Sequence, residues 1–264
     1  MNAAAIDLSL VWPALIAGLL VTATHVPLGV QVLERGIVFI DLAVAQIAGL
    51  GVIFADTLGL DPHGWGVQAA ALSAALGGAF LLTWTEKLWP DVQEAIIGVT
   101  FVVAANAAIL LLASNPHGAE HLKDLLIGQI LWVNTARLPV VALIYAAILG
   151  IWIGFGRRIG RVGFYALFAC AVTVSVQLVG LYLVFTTLIV PALATRRFPR
   201  ARIASCYALG ALGYAAGLGL SLVSDLPPGP LIVCTMSALA AVVFACGPRT
   251  ALLSRPVPLA SERL

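Results

Sequence analysis

The chain has 264 residues, 61% of them hydrophobic and 10% charged, where a soluble domain carries about 25% Asp, Glu, Lys and Arg; a water-soluble globular protein is excluded. A net charge of +2 spread over so few charged residues cannot form the basic stripe that nucleic acid requires, so nucleic-acid binding is excluded too. A hydrocarbon core about 30 Å thick takes roughly 20 apolar residues per helical crossing, so the chain holds about seven to nine spans, and residues 1–264 read as a single transmembrane domain in contact with membrane lipid.

A β-barrel would alternate polar and apolar residues, whereas residues 95–112 are apolar all round; the fold class is all-α, a polytopic integral membrane protein. Apolar runs bounded by Gly, Pro, Asn or charge predict eight segments, at about 8–23, 37–54, 67–84, 95–113, 138–155, 164–194, 203–223 and 231–246. Residues 1–7 lack the basic region of a cleaved signal peptide, so the first span is expected to stay in the membrane. His25 closes the first run near Pro27 and reads as an interfacial residue.

Asp41 lies a few residues inside the second run. An ionised Asp at mid-span costs about 2.5 to 3.5 kcal/mol on insertion scales, so such a residue tends to face a cavity and to serve a function; it is a candidate cation ligand. His63, between Pro62 and Gly64, reads as a solvated turn residue, and Asn106 and Gln177 as makers of interhelical hydrogen bonds. Gly49 and Gly51, Gly77 and Gly78, and the series Gly210, Gly213 and Gly217 predict close helix packing. Cys170, Cys206, Cys234 and Cys246 stand singly in apolar segments and read as small buried residues.

Between the fourth and fifth spans, His117-Gly118-Ala119-Glu120-His121-Leu122-Lys123-Asp124 is the densest group of metal-capable side chains. In a helix begun at Pro116, His117 and His121 share one face, with Glu120 and Asp124 beside it. The pattern also matches the H-x-x-E-H of inverzincin proteases. A catalytic zinc needs a third protein ligand and an open water position, and the motif lies in a loop between spans, which leaves a loop-borne cation-handling site or a polar helix cap.

Orientation follows from basic residues in short loops. Three stretches hold them: Arg157, Arg158 and Arg161; Arg196, Arg197, Arg200 and Arg202; and Arg249, Arg255 and Arg263. All three are expected in the cytoplasm, with the C-terminus inside and the turn at 224–229 outside. A single crossing over 164–194 would put the first two stretches on opposite faces, so this run must return, as one span plus a shorter broken helix, with Gly180 and Pro191 as break points. A broken helix at depth points to transport. In the first half Glu34 stands with Arg35, and Glu86, Lys87, Asp91 and Glu94 nearly cancel, so charge leaves those loops unassigned.

The stretch from Glu34-Arg35-Gly36 through Asp41-Leu42-Ala43-Val44-Ala45-Gln46 to Gly49-Leu50-Gly51 resembles the second-helix signature of the zinc/manganese-type ABC transporter permeases. Gln93-Glu94-Ala95-Ile96-Ile97-Gly98, Leu125-Leu126-Ile127-Gly128-Gln129-Ile130-Leu131, Val179-Gly180-Leu181-Tyr182-Leu183-Val184 with Leu188-Ile189-Val190-Pro191-Ala192, and Asp225-Leu226-Pro227-Pro228-Gly229-Pro230 are similar to later motifs of that family, in order. The resemblance covers about residues 10 to 247.

It implies an inner-membrane permease subunit that dimerises, takes Zn²⁺, Mn²⁺ or Fe²⁺ from an extracytoplasmic metal-binding protein, and is driven by a separate ATPase subunit. The metal would be the transported substrate, with no permanently bound cofactor. The sequence contains no G-x-x-x-x-G-K-[ST] phosphate loop, so a transport subunit rather than an enzyme is expected. The rival expectation is a secondary transporter or channel for a small solute, acting without an ATPase.

Two features depart from the family pattern. The family commonly carries a His four residues after its second-helix Asp; here Gln46 takes that place, five residues after Asp41. Amide oxygen is a poor ligand for Zn²⁺ and suits harder cations. The cytoplasmic coupling element before Phe164 is short, only residues 154–162, so that loop or residues 196–202 would dock the ATPase. The candidate metal residues are therefore Asp41, Gln46, His117, Glu120, His121 and Asp124.

Overall fold

In lipid every backbone N–H and C=O must find a partner within the protein, and for apolar runs of this length the helix is the local way to do so. The computed structural model describes residues 8–61, 64–112, 126, 128, 130–155, 158–198, 201–224 and 226–247. Among the described residues stand nine α-helices: α1 (Leu8–Arg35), α2 (Ile40–Thr57), α3 (Trp65–Leu88), α4 (Gln93–Leu112), α5 (Leu138–Phe155), α6 (Arg161–Val179), α7 (Leu181–Ala194), α8 (Arg202–Ser224) and α9 (Pro228–Cys246). Eight are long and apolar enough to cross a membrane. The ninth, α7, has 14 residues.

The long run at 164–194 is divided as its length requires, into α6 and α7. Gly180 caps both helices at φ 88°, a conformation open to glycine and strained for other residues. Its N–H donates to the Val176 carbonyl at 2.8 Å, and its own carbonyl accepts from the Val184 N–H at 3.1 Å. Gly128, also at positive φ, lies against this break, where a Cβ would strike the Val179 carbonyl and the Gly180 nitrogen. Pro191 does not break the chain. It sits inside α7, three residues from its end, and removes the one intrahelical bond that its N–H would have donated.

The first helix runs on to Arg35 through Pro13 and Pro27, well past the apolar run that begins it. His25 is consequently fully buried inside a helix rather than placed at an interface. Most of the glycines expected to pack closely do so: a Cβ on Gly217 would strike Ile232, one on Gly213 would strike Met236 and one on Gly78 would strike Ile47, whereas Gly77 has nothing within 4 Å of its Cβ position; Gly29, which the sequence did not single out, lies against the Leu188 backbone. Cysteine follows the expectation only in part, since Cys206 is buried while Cys234 and Cys246 are exposed.

Polar contacts gather eight helix termini at one end of the bundle. Arg202 pairs with Glu34 at 2.7 Å and Arg161 with Glu86 at 3.6 Å. The Arg35 guanidinium lies 4.1 Å from the Phe164 ring centroid, and Arg197 lies 4.4 Å from that of Phe244. Glu94 accepts the Phe39 N–H at 3.3 Å. Pairs this exposed contribute about 0–1 kcal/mol each, so they register the ends more than they hold them. Arg158, Arg161, Arg196, Arg197 and Arg202 thus share one end, and the charges that the sequence left unassigned in the first half join them there. α1, α2 and α6 are the most buried spans, and α4, α5 and α9 lie at the periphery.

Candidate functional site

Asp41 occupies the first turn of α2, at the basic end of the bundle, where the helix dipole favours an acid. Its side chain is fully buried and neither carboxylate oxygen has a hydrogen-bond partner among the described residues. Ala45 and Ala48, four and seven residues on, share its face and are buried with it.

Gln46 is five residues farther along α2, a rotation of about 140° and a rise of about 7.5 Å. The structure therefore puts the two α2 candidates on different faces of the helix. Gln46, with Leu42, lines a groove of about 620 Å³ between α4 and α9. Phe101, Ala105 and Ile109 of α4 form one flank, Val233 and Ser237 of α9 the other, and α7 completes the floor with Tyr182, Phe185 and Thr186. Behind Gln46 a crevice of about 20 Å³ continues between Gly49, Ile53, Ala108 and Val176. Gln46 borders both spaces.

The groove is mostly apolar, and its polar groups are Gln46, Tyr182, Thr186 and Ser237. The Thr186 hydroxyl donates to the Tyr182 carbonyl at 2.7 Å, which leaves its lone pairs free to accept. Tyr182 and Thr186 lie on one face of α7 by their spacing of four residues, a spacing that sequence reasoning passed over. Ser237 carries no local pattern that would single it out.

His117, Glu120, His121 and Asp124 lie outside the described residues, as does His63. Leu126, two residues after Asp124, lines both the groove and the crevice. Among the described residues no three of His, Cys, Asp and Glu come together.

The other polar residues of the spans behave differently from expectation. Asn106 donates to the Val102 carbonyl of its own helix at 2.8 Å, because α4 is peripheral and a short amide returns to its own backbone when no neighbour is near. Gln177 is exposed. His25 places Nδ1 3.0 Å from the Val21 carbonyl, and since a carbonyl only accepts, Nδ1 carries the proton. Nε2 has no partner among the described residues. Interhelical polar links among the described residues include Tyr145 with Ser175, Thr187 with Tyr214, the Tyr207 hydroxyl on the Ala23 carbonyl, and the Gln93 amide on the Leu82 carbonyl.

Eight helices long and apolar enough to cross a membrane, a ninth broken from its neighbour at Gly180, and a mostly apolar groove with a few polar groups define a polytopic α-helical membrane protein of the transport class. The chain belongs to the ABC 3 transport family, whose family model matches residues 7–160 and 153–247. It is 23% identical over 246 residues to the high-affinity zinc uptake system membrane protein ZnuB of Haemophilus influenzae, covering 85% of this chain and 92% of that one. It is 26% identical over 199 residues to the zinc transport system membrane protein TroC of Treponema pallidum, covering 71% of this chain and 62% of the relative. In fold it is similar to a chain of PsaBC from Streptococcus pneumoniae, solved with a Fab, with a TM-score of 0.73, 23% identity, and coverage of 92% of this chain and 93% of that chain.

Proposed function

We propose that this chain is the membrane permease subunit of an ATP-driven importer of divalent metal ions in a bacterial inner membrane. The single observation that carries the reading is the groove between α4 and α9: a membrane-spanning bundle that exposes an amide and hydroxyls on an otherwise apolar face has a polar surface to be used. Membership of the ABC 3 transport family and likeness to the membrane proteins of two zinc transport systems support this substrate class and an ATP-driven mechanism. Residues 1–264 act as one permease domain. A second copy of the chain covers the groove, so that the path runs along the interface of a homodimer.

The basic end faces the cytoplasm by the excess of Arg in its short loops. The C-terminus then leaves α9 on that side, and Arg158 and Arg161, or the stretch at 196–202, meet a separate ATPase subunit. The end of α4 at Leu112 falls on the opposite side, where an extracytoplasmic metal-binding protein delivers the ion, and His117, Glu120, His121 and Asp124 gather it. Asp41, near the cytoplasmic end of α2, serves the exit side of the path. The metal ion is the substrate, and no covalent chemistry occurs in this chain.

Reconstitution with and without the ATPase subunit tests the reading. Uptake of Zn²⁺ or Mn²⁺ into vesicles should require the ATPase subunit and ATP. Equal uptake by the permease alone would make it a secondary transporter or channel.

A further inference from the structure

We infer that Tyr145 and Tyr214 are positioning residues for transport: each phenol donates a hydrogen bond to one limb of the broken α6–α7 pair, and the two bonds fix the rotation of those limbs and so which residues line the groove. The inference rests on the permease reading above for its effect on uptake, whereas the rotation itself is measured without it.

The sequence specifies the rotation of these limbs weakly. From Leu181 to Val190, α7 is apolar apart from Tyr182 and the adjacent Thr186 and Thr187, and lipid offers no drive that would turn one apolar side inward. A rotation by one residue, about 100°, would exchange Thr186 for Thr187 and Tyr182 for Leu183 on the groove. In the structure Tyr182 and Thr186 line the groove, while Leu183 and Thr187 are fully buried outside its lining. The other limb repeats the arrangement. Val176 of α6 lines the crevice, and its neighbour Ser175 is fully buried outside the lining of both spaces.

Hydroxyl chemistry gives each bond a direction. The Ser175 hydroxyl donates to the Ala171 carbonyl and the Thr187 hydroxyl to the Leu183 carbonyl, each at 2.7 Å. A hydroxyl has one proton, so where Tyr145 meets Ser175, and where Tyr214 meets Thr187 at 2.9 Å, the phenol is the donor. Both phenols are fully buried, Tyr145 on α5 and Tyr214 on α8. A Cβ on Gly18 of α1 would strike the Tyr214 ring, so α1 leaves the space that this phenol fills. The limbs are thus gripped from two different helices, on either side of Gly180. Removing a phenol hydroxyl leaves each acceptor bonded to its own carbonyl, whereas removing an acceptor strands a buried O–H, which is the costlier loss.

Thermal unfolding of the purified protein in detergent tests the bonds and the facing together. Tyr214→Phe leaves no stranded donor and should lower Tm little. Thr187→Val keeps the shape and should lower it more, and the double variant should return to the Tyr214→Phe level. Thr186→Val should add to Tyr214→Phe without such recovery, because the phenol bonds Thr187 and not its neighbour. Tyr145→Phe with Ser175→Ala should repeat the pattern on α6, and Thr187→Ser, which keeps the acceptor, should match the parent protein. Additive losses at Thr187 and Tyr214, or recovery with Thr186→Val instead, would overturn the inference.

Uptake separates a positioning role from a purely structural one, with Mn²⁺ and Zn²⁺ as probes. In vesicles containing the ATPase subunit, Tyr145→Phe and Tyr214→Phe should keep ATP hydrolysis at the parent rate. They should lower the metal taken up per ATP by about three- to tenfold, the scale of losing one interhelical hydrogen bond in a membrane, and Thr187→Ser should keep the parent ratio. An unchanged ratio in both phenylalanine variants of a working transporter would overturn the inference and leave the permease reading intact. Absence of ATP-dependent uptake of either ion by the parent protein would overturn the permease reading and with it the transport role of the two tyrosines, while the unfolding series still reports the facing.

Discussion

Replacing Gly180 by Ala should weaken the fold and transport together. The residue sits at φ 88° and ψ 160°, in the region that only glycine occupies freely, where an L residue costs on the order of 1–3 kcal/mol. Relaxing to negative φ offers no escape. Gly180 holds the Val176 carbonyl through its N–H and the Val184 N–H through its carbonyl, so a rotation puts at risk two hydrogen bonds of about 0.5–1.5 kcal/mol each. The smaller of the two costs will be met, so the expected loss is about 1–3 kcal/mol, or roughly 2 to 10 °C in Tm for a chain of this size. Leu181 and Tyr182 follow directly and line the crevice and the groove, so ATP-coupled uptake should fall as well. Thermal unfolding of the purified protein in detergent, followed by intrinsic fluorescence, gives the first number, and vesicle uptake gives the second. Gly77→Ala is the control: nothing lies within 4 Å of its Cβ position, so helix propensity should leave it neutral or up to about 1 kcal/mol more stable. Equal Tm and equal uptake for Gly180→Ala and the parent protein would refute the view that the α6–α7 break is a conformation reserved for glycine.

Asp41→Asn keeps volume and removes the charge, so metal uptake should fall while assembly with the ATPase subunit persists; unchanged rates would leave Asp41 as a helix-end feature. Replacing His117 and His121 together by Gln should lower uptake at limiting metal less severely, and an effect as large at saturating metal would contradict an ion-gathering role. Charge reversal at Arg158 and Arg161, or at Arg196, Arg197 and Arg202, should reduce co-purification of the ATPase subunit, and intact assembly after reversal of both sets would move the docking surface elsewhere. A reporter fused after Leu264 should be active only in the cytoplasm, and periplasmic activity would invert the orientation.

Much of the fold was legible before any coordinates. The apolar runs mark the spans because lipid leaves the backbone of such a run only the helix, and the length of 164–194 announces a break because one crossing needs fewer residues. The ordered motifs from Glu34 to Pro230 disclosed the family. The position of the break at Gly180, but not at Pro191, followed from backbone geometry: glycine permits the required φ, whereas a proline near the end of α7 costs a single bond.

What tertiary structure alone decided is which way each residue faces. Asp41 and Gln46 look like neighbours in the sequence, yet the helical twist sends one into a sealed core and the other onto the groove. His25 moved from an expected interface to full burial because α1 continues through Pro27. Thr186 and Ser237 joined Gln46 only when α2, α7 and α9 were brought together. The reason is physical. In water a polar side of a helix advertises its outer face, but lipid is as apolar as leucine, so a membrane helix can be apolar all round and its sequence carries no comparable mark of orientation. Facing is then set by where small residues let backbones approach, as Gly29 does against Leu188 and Gly217 against Ile232, and those contacts exist only between helices far apart in the chain.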